Sequence, residues 1–313
     1  TQSLRPVEMD TLFCHSSLEQ NMRWWATDDE HKAALSEGFG NFYSVLAQDI
    51  QAYTPQGVWW ANDAQLYNDP IESDASRPLV SQSHGEDHEL AIMRLLWDLY
   101  DAGGAADERG AAIPGVGTYP RGDLVTMGYD GVYTLMKENV IKSGAQLWEV
   151  LLASATVDPQ IYGQKAFDCA ALFEAHGLAV TNLSMTVSGT TQNTWDWSSP
   201  VIPKFHWTIP KGYSGTWFDL YDEFGIKFFA KDTSGNYEEI YDSGLSSGTH
   251  KGDFSVPGTW SPPWSPMSIS WHGMVDSQLP GSGTKTLYYL IYAESHWEYT
   301  TFWSDLREIQ VSR

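Results

Sequence analysis

The stretch SEGFGNFY, residues 36–43, places a carboxylate, two glycines and three aromatic side chains in one short segment. Around it, Leu35, Phe39, Phe42 and Leu46 recur at intervals of four, three and four residues, the spacing of one face of an α-helix. The pattern predicts a helix from about 33 to 51 whose apolar face meets a core. Because glycine lowers helix propensity, we expect the two glycines to let another backbone or a site approach closely.

The pattern of the chain changes near residue 180. Before it, further helices are predicted from Ser83 to Tyr100, from near Asp123 to about Gly131, and from Asp158-Pro159 to His176-Gly177. After it, short runs such as GIKFFA at 225–230 and LYYLIY at 287–292 are separated by Gly, Ser, Pro and Asp. We therefore expect an α + β multidomain chain, with a mostly helical domain at 1–180 and an all-β sandwich or jelly roll at 181–313.

Composition restricts the partners. The chain has 40 Asp and Glu against 18 Lys and Arg, a net charge of -22, which disfavours nucleic acid and anionic membrane surfaces. No apolar run reaches the roughly 20 residues that a membrane span requires. These properties suit a secreted, extracellular protein. Cys14 and Cys169 could form one disulfide there, or could be two separate buried thiols.

Histidines and carboxylates of the first half are candidate metal ligands. His15 and Glu19 are one helical turn apart, and either could act with Glu37. His84 and His88 have the same spacing. An ordinary interpretation exists for each: Glu37 as a carboxylate favoured at a helix N-terminus, His84 as an exposed first-turn histidine, and His15 with Glu19 as a polar helix face.

Residues 36–43 resemble the "S-E-G-[WF]-[AG]-x-[FY]-[FY]" helix of fungalysin-like gluzincins, the zinc metallopeptidases of the thermolysin/fungalysin type. The resemblance implies that the first domain is metallopeptidase-like, with Glu37 as third zinc ligand. It also implies that His84, at the start of a later helix, descends from the histidine that stabilises the transition state. The segments at 129–132 and 158–179 are similar to the closing helices of the family, so the resemblance extends over about half of the chain.

The family motif His-Glu-x-x-His is absent from these 313 residues. That motif supplies two zinc ligands and the general base that activates the zinc-bound water. Two explanations remain open: the motif lies upstream of Thr1, or it has decayed at residues 15–19, with Ser16 in place of the base and Glu19 in place of the second histidine. Under either explanation, we expect this chain as given not to cleave peptides by that mechanism.

The second half offers candidate ligand-binding residues. Trp260 and Trp264, in a Pro-rich segment, could stack on sugar rings, contact a protein partner, or fill a core. The segment DTSGN at 232–236 and the pair Asp222-Glu223 could bind calcium through oxygen ligands, although turn chemistry also accounts for them.

Three functions follow as hypotheses. The first is a secreted metallopeptidase-like protein without catalytic activity, a pseudoenzyme that acts in binding or extracellular assembly through a protein partner, itself or a carbohydrate. The second is a structural subunit of an extracellular filament or surface layer. The third is the C-terminal part of an active zinc endopeptidase whose His-Glu-x-x-His lies upstream.

Overall fold

The computed structural model describes thirteen segments of the chain. They are residues 30–50, 89–101, 112–113, 117–118, 125–155, 161–162, 164–196, 201, 203–208, 221–247, 257–260, 283–295 and 300–312. The helices among them are α1 (Glu30–Ile50), α2 (Glu89–Tyr100), α3 (Gly128–Glu138), α4 (Gly144–Ala155) and α5 (Gln164–Ala175).

The strands of the described residues form two larger sheets and one small pair. The large sheet has the order β3-β9-β8-β12-β14-β6, with β10 paired to β8 and β13 to β12, and the second has the order β11-β7-β4-β5. Among the described strands, β14 and β6 are the only pair that runs in parallel, so the large sheet is mixed. In chain order the strands are β1 (Ala112–Ile113), β2 (Gly117–Thr118), β3 (Ile161–Tyr162), β4 (Thr181–Val187), β5 (Thr190–Thr191), β6 (Thr194–Asp196), β7 (Lys204–Thr208), β8 (Tyr221–Lys231), β9 (Tyr237–Asp242), β10 (Ser246–Ser247), β11 (Pro257–Trp260), β12 (Thr284–Ser295), β13 (Thr301–Trp303) and β14 (Arg307–Ser312).

Strand β8 is buried on both faces. The Phe228 ring lies 5.4 Å from that of Phe205 on β7, and the Phe229 ring lies 5.4 Å from that of Phe167 on α5. Because successive side chains of a strand point to opposite faces, the large sheet lies between α5 and the second sheet. This burial explains the continuous apolar run in the middle of β8, which a half-exposed strand would not have.

The predicted fold class is wrong. The described part is a small α+β body with mixed sheets and not a mostly helical lobe followed by a separate jelly roll. Strand β3, between α4 and α5 in the chain, pairs with β9, and Trp148 of α4 packs on Phe302 and Trp303 of β13. The periodicity of each element indicated that it has a buried face, but it carries no information about which distant element covers that face. The predicted limits 1–180 and 181–313 stay a prediction.

Helix α1 agrees closely with its predicted range, whereas two other predicted helices do not. A helix was expected to stop near Gly131, but α3 runs through that residue. Another was expected from Asp158-Pro159, but residues 161–162 are a strand and α5 begins at Gln164. Helix α4 was not predicted from the sequence.

The end of α5 follows the sequence signal. Gly177 has a positive φ of 69°, its N–H donates to the carbonyl of Glu174, and the N–H of Leu178 donates to the carbonyl of Phe173. This pair of hydrogen bonds is the Schellman motif, which favours glycine because a Cβ is strained at positive φ.

None of the described helices combines the length and the apolar character that crossing a membrane requires.

Candidate functional site

Glu37 lies in the interior of α1. The helix begins at Glu30, so the expectation of a carboxylate at the helix N-terminus is wrong, since that electrostatic benefit is confined to the first turn. The Glu37 side chain is half-buried, and its Oε1 is shielded from solvent. A partly buried carboxylate in the middle of a helix is less ordinary than the exposed one expected from the sequence.

The other predicted metal and catalytic residues cannot be placed beside Glu37. His15, Glu19 and His84 lie outside the described residues. Among the residues that the structure does describe, no group of three or more His, Cys, Asp or Glu side chains could hold a metal ion. The zinc site therefore stays a prediction.

The predicted ligand-binding residues are placed only in part. Trp260 ends β11, where it pairs with Phe205 of β7, but the structure describes only its backbone. Trp264 lies outside the described residues. In the 232–236 segment, Asp232 Oδ1 accepts hydrogen bonds of 2.8 Å from the backbone N–H groups of Ser234 and Asn236. These bonds lower the pKa of Asp232 and give its carboxylate a role in the β8–β9 turn, and calcium binding stays a prediction.

A partly open cavity of about 530 Å³ lies between α1 and α3, a feature that sequence reasoning missed. Helix α1 contributes Leu35, Ser36, Phe39 and Tyr43, helix α3 contributes Tyr133, Met136 and Lys137, and the loop before α4 contributes Ile141 and Lys142. We call this the α1/α3 groove. Its volume falls within the range of ligand pockets, about 300–1,000 Å³.

Helix α1 packs against the core with one face and lines the groove with an adjacent face. Phe42 packs against Trp97 and Tyr100 of α2, at ring distances of 6.5 and 6.1 Å. Phe39 and Tyr43 are one turn apart and lie on the groove side, with ring centroids 4.7 Å from each other. At about 100° per residue, Glu37 is on a different face from both, so the groove is not built around the predicted zinc ligand.

Tyr133, which lines the groove, belongs to a stacked pair of tyrosines on α3. Tyr129 and Tyr133, one turn apart on α3, have ring centroids 5.8 Å apart and an interplanar angle of 15°. They are 40% and 41% exposed, the largest exposures among the described aromatic residues. Burial, together with the neighbouring Tyr129 and Tyr133, raises the pKa of Tyr43. Most other aromatic side chains that the structure describes are buried or half-buried, which sets this exposed stacked pair apart.

The loop between α3 and α4 is held in place by a helix cap. Gln146 donates its backbone N–H to Oγ of the buried Ser143, and its Oε1 accepts a hydrogen bond from the backbone N–H of Lys142. These contacts satisfy N–H groups at the start of α4. These bonds connect the backbone of Lys142, which lines the groove, to the first turn of α4.

Two polar pairs, one buried and one half-buried, lie away from the groove. The His176 Nε2 atom is 2.7 Å from Asp98 Oδ2, which joins the end of α5 to α2, and Arg94 lies fully buried one turn before Asp98. The Glu174 Oε1 atom is 2.6 Å from Arg307 Nη2, which joins α5 to β14. Sequence analysis identified none of these pairings. No short-range signal could reveal them, because the partners are far apart in the chain.

Cys169 is a buried residue of α5. Burial raises the pKa of its thiol to about 12, so the thiol stays protonated at neutral pH. Cys14 lies outside the described residues, and the disulfide expected as one alternative stays a prediction.

Neither the models of known protein families nor the curated proteins include a match to this chain.

Proposed function

We propose that this chain is a secreted binding protein, peptidase-like by resemblance and without peptidase activity of its own, which holds a segment of a partner protein in the α1/α3 groove. The observation that carries the proposal is the groove itself, with the exposed Tyr133 at its edge and mostly apolar side chains in its lining. An open apolar concavity with a few polar groups is the usual form of a binding site in a folded protein.

The lining favours a protein segment over a sugar. Its polar groups are one serine hydroxyl, two tyrosine hydroxyls and two lysine ammonium groups. Among the described residues, the lining has no carboxylate, which accepts hydrogen bonds from sugar hydroxyls, and no side-chain amide, which both donates and accepts. Leu35, Phe39 and Met136 instead suit an aliphatic or aromatic anchor, each contributing about 1.5–3 kcal/mol when fully buried.

Anisotropy with a labelled peptide tests the proposal. The probe is fluorescein-labelled Gln-Leu-Gln-Phe-Gln-Leu-Gln, titrated with the full chain. Ser36 is exposed and lines the groove, so Ser36→Trp fills the groove without removing a core side chain. We expect saturable binding that this variant weakens at least tenfold. Val140→Trp adds the same side chain at an 82% exposed position outside the lining and should bind normally. Binding equal in both variants would contradict the proposal.

The absence of peptidase activity has its own test. Purified chain with added zinc should leave casein intact, and Glu37→Gln should change nothing. Turnover that a chelator stops and that Glu37→Gln abolishes would exclude the noncatalytic proposal.

One observation favours a second candidate, the C-terminal part of an active zinc endopeptidase. Glu37 is half-buried inside α1 with one oxygen shielded from solvent, a setting that suits an inherited metal ligand better than a surface carboxylate. Elemental analysis tests this candidate. Stoichiometric zinc that is lost in Glu37→Gln would favour it, and a zinc content unchanged by the substitution would count against it. The filament-subunit hypothesis stays a prediction, and negative-stain images of the pure protein test it.

A further inference from the structure

We infer that the α1/α3 groove selects acidic protein segments, in which carboxylates flank an apolar anchor. This inference rests on the proposed binding function and concerns the chemistry of the partner. It depends on two lysines at the groove, Lys137 at the end of α3 and Lys142 in the capped loop.

The charge of the groove is opposite to that of the chain. Acidic residues outnumber basic ones by 40 to 18, yet the lining, as far as the structure describes the chain, contains two lysines and no Asp or Glu. Both lysines are exposed at the mouth of the groove, while the apolar side chains lie deeper. A segment that buries an apolar side chain there would bring its neighbouring residues close to both ammonium groups.

These lysines have no carboxylate partner within the described part of the chain, where neither ammonium lies within 4.0 Å of an Asp or Glu oxygen. The Lys137 ammonium lies over the Tyr133 ring at 5.6 Å from its centroid, a contact that leaves its N–H groups available to a ligand. By contrast, Lys227 contacts two carboxylates at 2.8 Å.

Local charge outweighs the overall repulsion of an acidic ligand at moderate salt. The screening length is about 8 Å at physiological ionic strength, so carboxylates placed beside the lysines interact mainly with them. The net charge of -22 repels an acidic ligand from a distance, and this repulsion weakens as salt is added. Complementary charge of this kind sets partner preference more than it sets total affinity.

Two matched peptides test the inference in 150 mM salt. They are labelled Glu-Leu-Glu-Phe-Glu-Leu-Glu and Lys-Leu-Lys-Phe-Lys-Leu-Lys, which share one apolar pattern. The basic peptide can also bind the acidic surface outside the groove. Binding that persists in Ser36→Trp measures this contribution, and it is subtracted from the binding to the original chain. For the groove component, we expect the acidic probe to bind at least tenfold tighter than the basic one. Lys137→Gln combined with Lys142→Gln should reduce this preference to within about threefold. The control pair Lys165→Gln and Lys204→Gln, exposed lysines away from the groove, should preserve it.

The outcomes separate the two proposals. If both probes bind the groove equally well and Ser36→Trp blocks both, the acidic preference is wrong while the binding function stands. If neither probe gives a component sensitive to Ser36→Trp, the binding function fails, and the inference fails with it. Self-association in sedimentation velocity that is lost in both Ser36→Trp and the Lys137/Lys142 variant would support the inference, with a second copy as the source of the acidic segment.

Discussion

Glu174 and Arg307 join the helices to the large sheet through a short ion pair, with 2.6 Å between Glu174 Oε1 and Arg307 Nη2. The other carboxylate oxygen of Glu174 accepts a 2.6 Å hydrogen bond from the backbone N–H of Asp305, whose own carboxylate lies 3.3 Å from Arg307. Glu174 is 5% exposed. A buried charge with this set of partners is tolerated because each oxygen is satisfied.

Removing only one partner of this pair should be costly. Arg307→Met leaves the Glu174 carboxylate buried without its cation, and we expect a loss of about 3 kcal/mol in the free energy of unfolding at pH 8. Glu174→Met combined with Arg307→Met should recover most of the unfolding free energy that Arg307→Met loses. Lys227→Met is the control, since its more exposed pairs should contribute about 1 kcal/mol or less. Urea unfolding followed by circular dichroism measures all four proteins. Equal losses in the Arg307 and Lys227 variants would refute this account.

The same carboxylate should make stability depend on pH. Burial raises the pKa of Glu174 to about 7, although Arg307 opposes the shift. The folded state therefore holds this proton more tightly than the unfolded chain, whose glutamate titrates near 4.5. The resulting stabilisation is fully present below pH 4.5 and is lost as the pH rises through 7, by up to about 3 kcal/mol.

Glu174→Gln cannot ionise and should remove this component, so the difference in unfolding free energy between the two proteins should change between pH 4.5 and 7.5. The pKa of Asp242 is lowered, so the stability that its carboxylate contributes is lost only as the pH falls through a value under 3.8. This loss therefore lies outside the range from pH 4.5 to 7.5. Parallel pH profiles for the original chain and Glu174→Gln would contradict the prediction.

Two helical glycines should respond oppositely to alanine. A Cβ at Gly40 would meet no atom within 4 Å among the described residues, so Gly40→Ala should stabilise α1 by about 0.5–1 kcal/mol. A Cβ at Gly131 would lie 2.7 Å from Cβ of Met127, which is too close. Gly131→Ala should therefore give no gain or a net loss. Melting temperatures of the two variants and the original chain test this prediction. A lower melting temperature for Gly40→Ala would show that another group approaches that position.

Gly225 should be intolerant of any side chain. A Cβ there would overlap the ring of Tyr292, which crosses from the neighbouring β12. The Tyr292 hydroxyl donates a 2.5 Å hydrogen bond to Asp242, and moving the ring aside would break this bond. We expect Gly225→Ala to cost about 1–3 kcal/mol. In a Tyr292→Leu background the added cost should be smaller, and a double-mutant cycle from urea unfolding measures the difference. An additive cycle would mean that the ring does not cause the loss.

The sequence predicted local features better than features that depend on contacts between distant segments. The position of α1, the end of α5 at Gly177 and the strand character of 225–230 and 287–292 follow from spacing and turn chemistry within a few residues. The start of α5 was missed because an Asp-Pro pair favours a helix start, whereas pairing with distant β9 drew the residues after it into β3. The α1/α3 groove was missed because its two walls come from segments that are far apart in the chain.

The sequence by itself determined where helices and strands form and which of their faces are apolar, because those properties depend on neighbours within one or two turns. Only the tertiary structure decided that α5 and the second sheet cover opposite faces of β8, that Glu174 meets Arg307, and that α1 and α3 leave a groove between them. Each of these depends on contacts between residues far apart in the chain, and an apolar face accepts any partner of suitable shape. Periodicity therefore could not choose among the partners.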